Sequence, residues 1–112
     1  MLTPMNIFPF QVLPLSGGAL SYTVASTGVI AVIGGMMEIS NIDSVVHYFT
    51  VTHTPKSTGV AAVLFPAVAV QPTGNAPSAY SVPKNLLPGD VITVYADVAA
   101  KVNFGWDGQV QT

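Results

Sequence analysis

Polar and apolar side chains alternate along several short stretches of the chain, with the period of two that is typical of β-strands. In the longest stretch, residues 45–54, one face would carry Val45, His47, Phe49, Val51 and His53. Turn-forming sequences separate the stretches, and Pro88-Gly89-Asp90 suits a type II turn. Because about seven such strands fit into the chain, we predict an all-β fold, a single antiparallel β-sandwich of the jelly-roll or immunoglobulin-like kind.

The composition also favours strands over helices. Of the 112 residues, 33 are valine, isoleucine or threonine, whereas the chain has a single glutamate and no arginine. These β-branched side chains suit a pleated sheet and are less suited to a helix. Half of the residues are hydrophobic and 7% are charged, a balance that excludes an intrinsically disordered chain. The length is that of one domain.

Residues 1–18 are expected to form an extended N-terminal arm, and residues 19–112 the β-sandwich domain. Pro4, Pro9 and Pro14 prevent a continuous helix in this segment. The segment is nevertheless apolar, so it needs a groove on its own domain or on a neighbouring subunit. Its proline-free stretch, residues 10–13, is the place where it would pair with a partner's strand edge. We expect assembly contacts through five side chains: Phe8, Phe10, Val12, Leu13 and Leu15.

The chain lacks the residues that several functions would require. With three lysines and a net charge of −2, the chain cannot neutralise many phosphates, so we expect no nucleic-acid partner. The absence of cysteine excludes a disulfide framework and a thiolate metal site. Residues 19–37 contain hydroxyl side chains and glycines and have no basic flank, so we expect no membrane partner. No basic residue occurs in residues 1–18, which argues against a signal peptide.

The titratable residues do not form a catalytic pattern. His47 and His53 lie six positions apart, which separates them by roughly 20 Å on one strand, too far to share a metal ion. We expect both to be half-exposed strand residues. Asp90 and Asp107 lie in turns, where aspartate accepts hydrogen bonds from local amides, and Asp97 is expected to be a solvated edge residue. We therefore predict a protein that is not an enzyme, with no cofactor and no metal.

Residues 86–94 have the sequence Leu-Leu-Pro-Gly-Asp-Val-Ile-Thr-Val, which resembles a pattern common in immunoglobulin-like and jelly-roll sandwiches. Over this stretch the chain is similar to the trimeric jelly-roll heads of the complement and tumour necrosis factor type. Those heads also carry an aromatic-glycine pair close before the last strand, here Phe104-Gly105. The low-charge, cysteine-free composition with an apolar, proline-spaced arm resembles small virion proteins of tailed bacteriophages, such as capsid decoration or head-fibre subunits.

Residues 29–33 and 60–70 are apolar on both faces, which gives more apolar surface than one small core absorbs. We therefore expect a non-enzymatic virion structural protein, a capsid decoration, cement or fibre-like subunit that stabilises a phage particle. Its partners would be copies of itself, as a trimer, and a major capsid or other virion protein. The alternative is a glycan- or receptor-binding module on a virion or cell surface, using the long loop 71–85 and Tyr80.

Overall fold

The computed structural model describes residues 1–72 and 78–112. In this part of the chain the regular structure consists of β-strands and one short 3₁₀ turn, Ser16–Gly18. None of its helical segments is long and apolar enough to cross a bilayer. The strands are β1 (Leu2–Val12), β2 (Leu20–Thr23), β3 (Ala31–Asn41), β4 (His47–Thr54), β5 (Ala62–Val70), β6 (Ser78–Ser81), β7 (Asn85–Leu86), β8 (Val91–Ala96) and β9 (Val102–Gln111).

The strands form two antiparallel sheets that pack face to face. Sheet A has the order β1-β9-β3-β6, and the short strand β7 also pairs with β3. Sheet B has the order β2-β8-β4-β5. The early strands β1, β2, β3 and β4 thus pair with β9, β8, β6 and β5, which is the double Greek-key order of a jelly roll. The predicted all-β antiparallel sandwich is confirmed, and its strand order is that of the jelly roll.

The core lies between the sheets and contains the side chains that the alternation predicted to point inward. Phe49 and Val51 of β4 and Val94 of β8 are fully buried. Trp106 of β9 has 0% exposure and lies in the core. The ring of Phe8 stacks against the indole of Trp106, with 6.5 Å between the ring centroids. These rings join β1 and β9 to the centre of the sandwich.

The N-terminal segment is part of the sandwich and not a separate arm. Residues 2–12 form β1, which pairs with β9, and Phe8 and Leu13 are buried in the core. Prolines are tolerated in β1 because it is an edge strand, whose outer side has no neighbouring strand to receive an amide proton. Of the two sites expected for residues 1–18, the chain's own domain therefore holds them, and Phe8 and Leu13 face its core and not another subunit. Phe10, Val12 and Leu15 remain about half exposed.

The edges of both sheets carry features that prevent the addition of another strand. Proline and register irregularities interrupt the two long edge strands, β1 and β5. In β5, Pro66 is followed by Ala67 with a φ of +42°, a left-handed conformation at a bulge. The other edge strands, β2 and β6, have four residues each. Short, bulged or proline-containing edges are poor templates for a partner strand. The pairing expected for residues 10–13 is therefore not favoured.

Candidate assembly surface

The outer face of sheet B carries no charged side chain. Its four strands, all within the described chain, contain no lysine, arginine, aspartate or glutamate. Their two histidines lie at inward positions. The outward positions, which alternate with the buried ones, carry hydroxyl or apolar side chains. We call this set the neutral face; it comprises Ser21, Thr23, Tyr48, Thr50, Thr52, Thr54, Val63, Ala69, Val91, Thr93 and Tyr95.

The strand register makes the neutral face continuous across the sheet. Thr52 of β4 lies opposite Thr93 of β8 on one side and Val63 of β5 on the other. The hydroxyls of Thr52 and Thr93 are in hydrogen-bond contact. At the bulge in β5, the hydroxyl of Thr50 accepts a hydrogen bond from the amide of Ala67 at 3.2 Å. Hydroxyl and methyl groups therefore form one uninterrupted surface from β2 to β5.

The neutral face continues into an apolar edge along β5. From residue 60 to residue 70 the chain contains no polar side chain. Val60 is 68% exposed and Val63 is 54% exposed. The charged residues lie elsewhere: Glu38 and Asp107 belong to strands of sheet A, and the others to loops. A contiguous exposed surface with apolar groups and no charge is typical of an interaction site.

A histidine anchors β4 to two loops at one end of the sandwich. The imidazole Nε2 of His47 lies 2.8 Å from Oδ2 of Asp43, in the loop between β3 and β4. Its Nδ1 lies 3.2 Å from Oδ1 of Asp97, directly after β8. Asp97 also accepts a hydrogen bond from the amide of Tyr48 at 3.1 Å. Asn41 supports the same end by donating to the carbonyls of residues 45 and 70.

His53 connects β4 to loops at the opposite end of the sandwich. His53 Nε2 lies 2.9 Å from Oδ2 of Asp90, and both side chains are buried. The Asp90 carboxylate also accepts hydrogen bonds from the amides of Lys56 and Leu87, each at 3.0 Å. Burial of this carboxyl opposes ionisation. The donors from Lys56, His53 and Leu87 outweigh burial and hold the pKa of Asp90 below its usual range.

Asp90 occupies the turn that the sequence predicted. The amide of Asp90 bonds to the carbonyl of Leu87 at 3.0 Å, and Gly89 has a φ of +86°, as the third position of a type II turn requires. The prediction that Asp90 accepts a hydrogen bond from a local amide is confirmed by the amide of Leu87. The expected half exposure of the histidines is wrong, since His47 is 8% and His53 is 7% exposed. Asp90 and Asp97, from distant parts of the chain, cover them.

The histidine–aspartate clusters have the geometry of structural anchors. Both nitrogens of the His47 ring face carboxylate oxygens, so neither is directed toward an open coordination position. In the residues that the structure describes, no group of three histidine, aspartate or glutamate side chains is arranged to hold a metal ion. The clusters hold the loops that frame sheet B, and they thereby keep β4 and the neutral face in place.

The stability contributed by His47 is expected to depend on pH. The hydrogen bond to Asp43 is the largest effect on the pKa of His47; burial opposes it, Asp97 adds to it, and the net result is a raised pKa. The folded state therefore binds the proton more tightly than the unfolded chain, whose histidine pKa is about 6.5. This contribution is complete below pH of about 6.5 and is lost as pH rises through the higher folded-state value.

The measurement is thermal unfolding between pH 5.5 and 8.5, with His47→Gln as the comparison. We expect the melting temperature to fall more for the wild type than for the variant as pH rises over this interval, because the variant has no imidazole proton to release at this position. An NMR titration should place the pKa of the His47 imidazole above its ordinary value. Equal pH dependence of both proteins, or a pKa at or below the ordinary value, would contradict this assignment.

The structure places the residues predicted for assembly contacts and for ligand binding in different parts of the fold. Phe10 packs over Gly105, with its Cα 3.2 Å from the position that a Cβ at Gly105 would take, and thus belongs to sheet A. Tyr80 lies in β6, where its ring is 6.0 Å from that of Phe49 and 6.1 Å from that of Phe65. Residues 73–77 of the predicted ligand loop lie outside the described residues. The structure therefore does not bring the five predicted contact residues together.

Comparison with known proteins gives no family for the chain. No protein-family model matches it, and no curated protein does. One similar solved structure is that of an exo-β-1,3-galactanase from Phanerochaete chrysosporium, crystallised with galactose. The alignment has a TM-score of 0.43 and 17% sequence identity, and it covers 99% of this chain but only 29% of that chain. At this level of similarity the match carries no inference about activity.

Proposed function

We propose that this protein is a non-enzymatic structural subunit of a virion, a capsid decoration, cement or fibre-like protein of a tailed phage. The observation that carries the proposal is the neutral face of sheet B. A sheet face that stays in water usually carries charged side chains, which keep the protein soluble and free of contacts. A face of hydroxyl and apolar side chains loses its water at low cost, because no ion has to be desolvated.

The arrangement of the charged residues supports a role in assembly over a role in catalysis. Asp43, Asp90 and Asp97 are each held by a histidine or by backbone amides, and they connect loops. Their carboxylates act as structural acceptors in this arrangement. Glu38 and Asp107 are exposed on sheet A, with no histidine or lysine within ion-pair distance among the described residues. A general acid–base pair would need partners that tune its protonation.

Fold and composition support the virion setting by analogy. Double-sheet jelly rolls recur in viral capsid proteins, although the same fold also occurs in lectins and in cupins. The low-charge, arginine-free composition resembles that of small phage virion proteins. We propose copies of this chain and a major capsid or other virion protein as its partners. The glycan-binding alternative has less support, because the ring of Tyr80 packs against those of Phe49 and Phe65.

The proposal is tested by locating the protein in its native setting. Particles purified from the source culture would be labelled with a gold-conjugated antibody against the folded chain and viewed by electron microscopy. We expect label at regular positions on the particles and the chain in their tryptic digest. As a matched control, the antibody is first absorbed with purified protein. A chain found only in the soluble fraction, with unlabelled particles, would contradict the proposal.

A further inference from the structure

We infer that the neutral face is covered by a second copy of this chain, related to the first by a two-fold axis, so that two sheets B pack face to face. This inference rests on the proposed function, since it names the partner of the same surface. A two-fold axis brings the same surface of both subunits together, so the face must be complementary to itself. The chemistry of the neutral face meets that requirement.

Its hydroxyl groups make the face self-complementary. A serine, threonine or tyrosine hydroxyl both donates and accepts a hydrogen bond, so two identical hydroxyl surfaces satisfy each other. A surface of carboxylates offers only acceptors and a surface of lysines offers only donors, so neither pairs with its own copy. The neutral face has hydroxyls on β2, β4 and β8, among them Thr23, Thr52 and Thr93. Neither copy brings a charge that would be buried without a partner.

The size of the face suits a weak dimer. The eight residues of β4 span roughly 26 Å, and four strands with their side chains cover about 19 Å. The flat footprint is thus on the order of 500 Å², and the accessible surface of a pleated face is larger than its footprint. Specific interfaces start near about 1,200 Å² for both partners together. Two such faces together give roughly 1,000 Å² of flat footprint, somewhat below that range, which is the size expected of a weak complex.

The features of the sheet edges exclude the main competing geometry. Two copies joined edge to edge through β5 would need a regular row of backbone donors and acceptors. Pro66 lacks an amide proton, and bulges break the register of β5 in two places. Side chains of β5 such as Val63 remain free to contact another sheet. Face-to-face packing, with the two sheets about 10 Å apart, uses those side chains and needs no backbone pairing.

The experiment compares the full-length wild type with four variants by sedimentation equilibrium over a concentration series. Val63→Lys and Thr93→Lys place a charge at the edge and in the middle of the neutral face. Val63→Thr keeps that face uncharged, and Ala79→Lys adds the same charge to sheet A. Circular dichroism checks the fold of each variant. We expect a dimer for the wild type and for both controls. Each lysine variant on the neutral face should weaken dimerisation by at least about tenfold.

Several results would contradict the face-to-face dimer. They can be distinguished from results that would contradict the virion role. A wild-type dimer that both lysine variants on the neutral face leave intact would overturn face-to-face packing, and so would a trimer. A monomer at every concentration, combined with gold label on particles, would overturn the second copy as partner, and the proposed function would stand. A monomer that is also absent from particles would overturn both.

Discussion

Replacing Trp106 with alanine is expected to lower the free energy of unfolding by about 3–5 kcal/mol, the range for emptying a buried aromatic site. The indole is fully buried, stacks against Phe8 and lies opposite Met37 in the register of β9 and β3. The chain at Gly34 is close enough that a Cβ there would lie 2.8 Å from the indole Cζ2. The rigid backbone at Gly34 limits how far the cavity left by the missing indole can collapse.

Trp106→Phe provides the matched control. Among the residues that the structure describes, the indole Nε1 has no hydrogen-bond partner, so the change to phenylalanine removes no hydrogen bond to protein. We therefore expect Trp106→Phe to lower the free energy of unfolding clearly less than Trp106→Ala does. Urea unfolding followed by circular dichroism measures both variants. Wild-type fluorescence typical of a water-exposed indole, or an alanine variant as stable as the wild type, would contradict the core position of Trp106.

Replacing Asp90 with alanine is expected to cost about 3–5 kcal/mol, because three hydrogen-bond donors lose a buried carboxylate acceptor, at about 1–3 kcal/mol each. The substitution leaves the amides of Lys56 and Leu87 and the imidazole of His53 without their acceptor. Each buried donor that loses its partner adds a desolvation cost. The end of β4 and the loops at Lys56 and Leu87 would lose their common anchor at once, so we expect a single cooperative transition at a lower denaturant concentration.

Asp107→Ala is the control for the loss of one negative charge. Asp107 is exposed in β9, and substitutions at such positions usually change stability by less than about 0.5 kcal/mol. The pH dependence gives an independent check. Because the pKa of Asp90 is lowered by folding, its contribution is present above the unfolded value of about 3.9 and is lost as pH falls through the folded-state value. Equal stability of the two alanine variants would contradict the role assigned to Asp90.

Where local chemistry decides the structure, the sequence predicted it well. Alternation placed Phe49, Val51 and Val94 in the core, and the glycine in Pro88-Gly89-Asp90 predicted the type II turn. Pro66 cannot donate a hydrogen bond to a neighbouring strand, and it lies at a bulge in the edge strand β5. In each case the residues involved are neighbours in the chain, and a period of two or a required positive φ is sufficient to predict the outcome.

The failures concern contacts between distant parts of the chain. Prolines in residues 2–12 are compatible both with a free arm and with an edge strand, and only the pairing with β9 distinguishes the two. The burial of His47 and His53 depends on Asp97 and Asp90, which lie 50 and 37 positions away. No local pattern contains that information.

The neutral face had a signal in the sequence that became visible only with the strand order. The scarcity of charge was evident from composition, and its uneven distribution was not. Once β2, β4, β5 and β8 are known to form one sheet, the absence of lysine and acidic residues from all four is a property of one surface. Sheet A keeps Glu38 and Asp107 in its strands. The difference in charge between the two sheets could not be predicted before it was known which strands form each sheet.

The central claim is that the neutral face is covered when the protein is in its functional state. Hydroxyl-radical labelling with mass spectrometry tests it directly, because aromatic and methionine side chains are labelled according to their own exposure. The assembled state, at high concentration or on the particle, is compared with the dilute protein. We expect protection of Tyr48 and Tyr95 on sheet B, and unchanged labelling of Phe10 and Met36 on sheet A. Unchanged tyrosines, or protection confined to Phe10 and Met36, would contradict the claim.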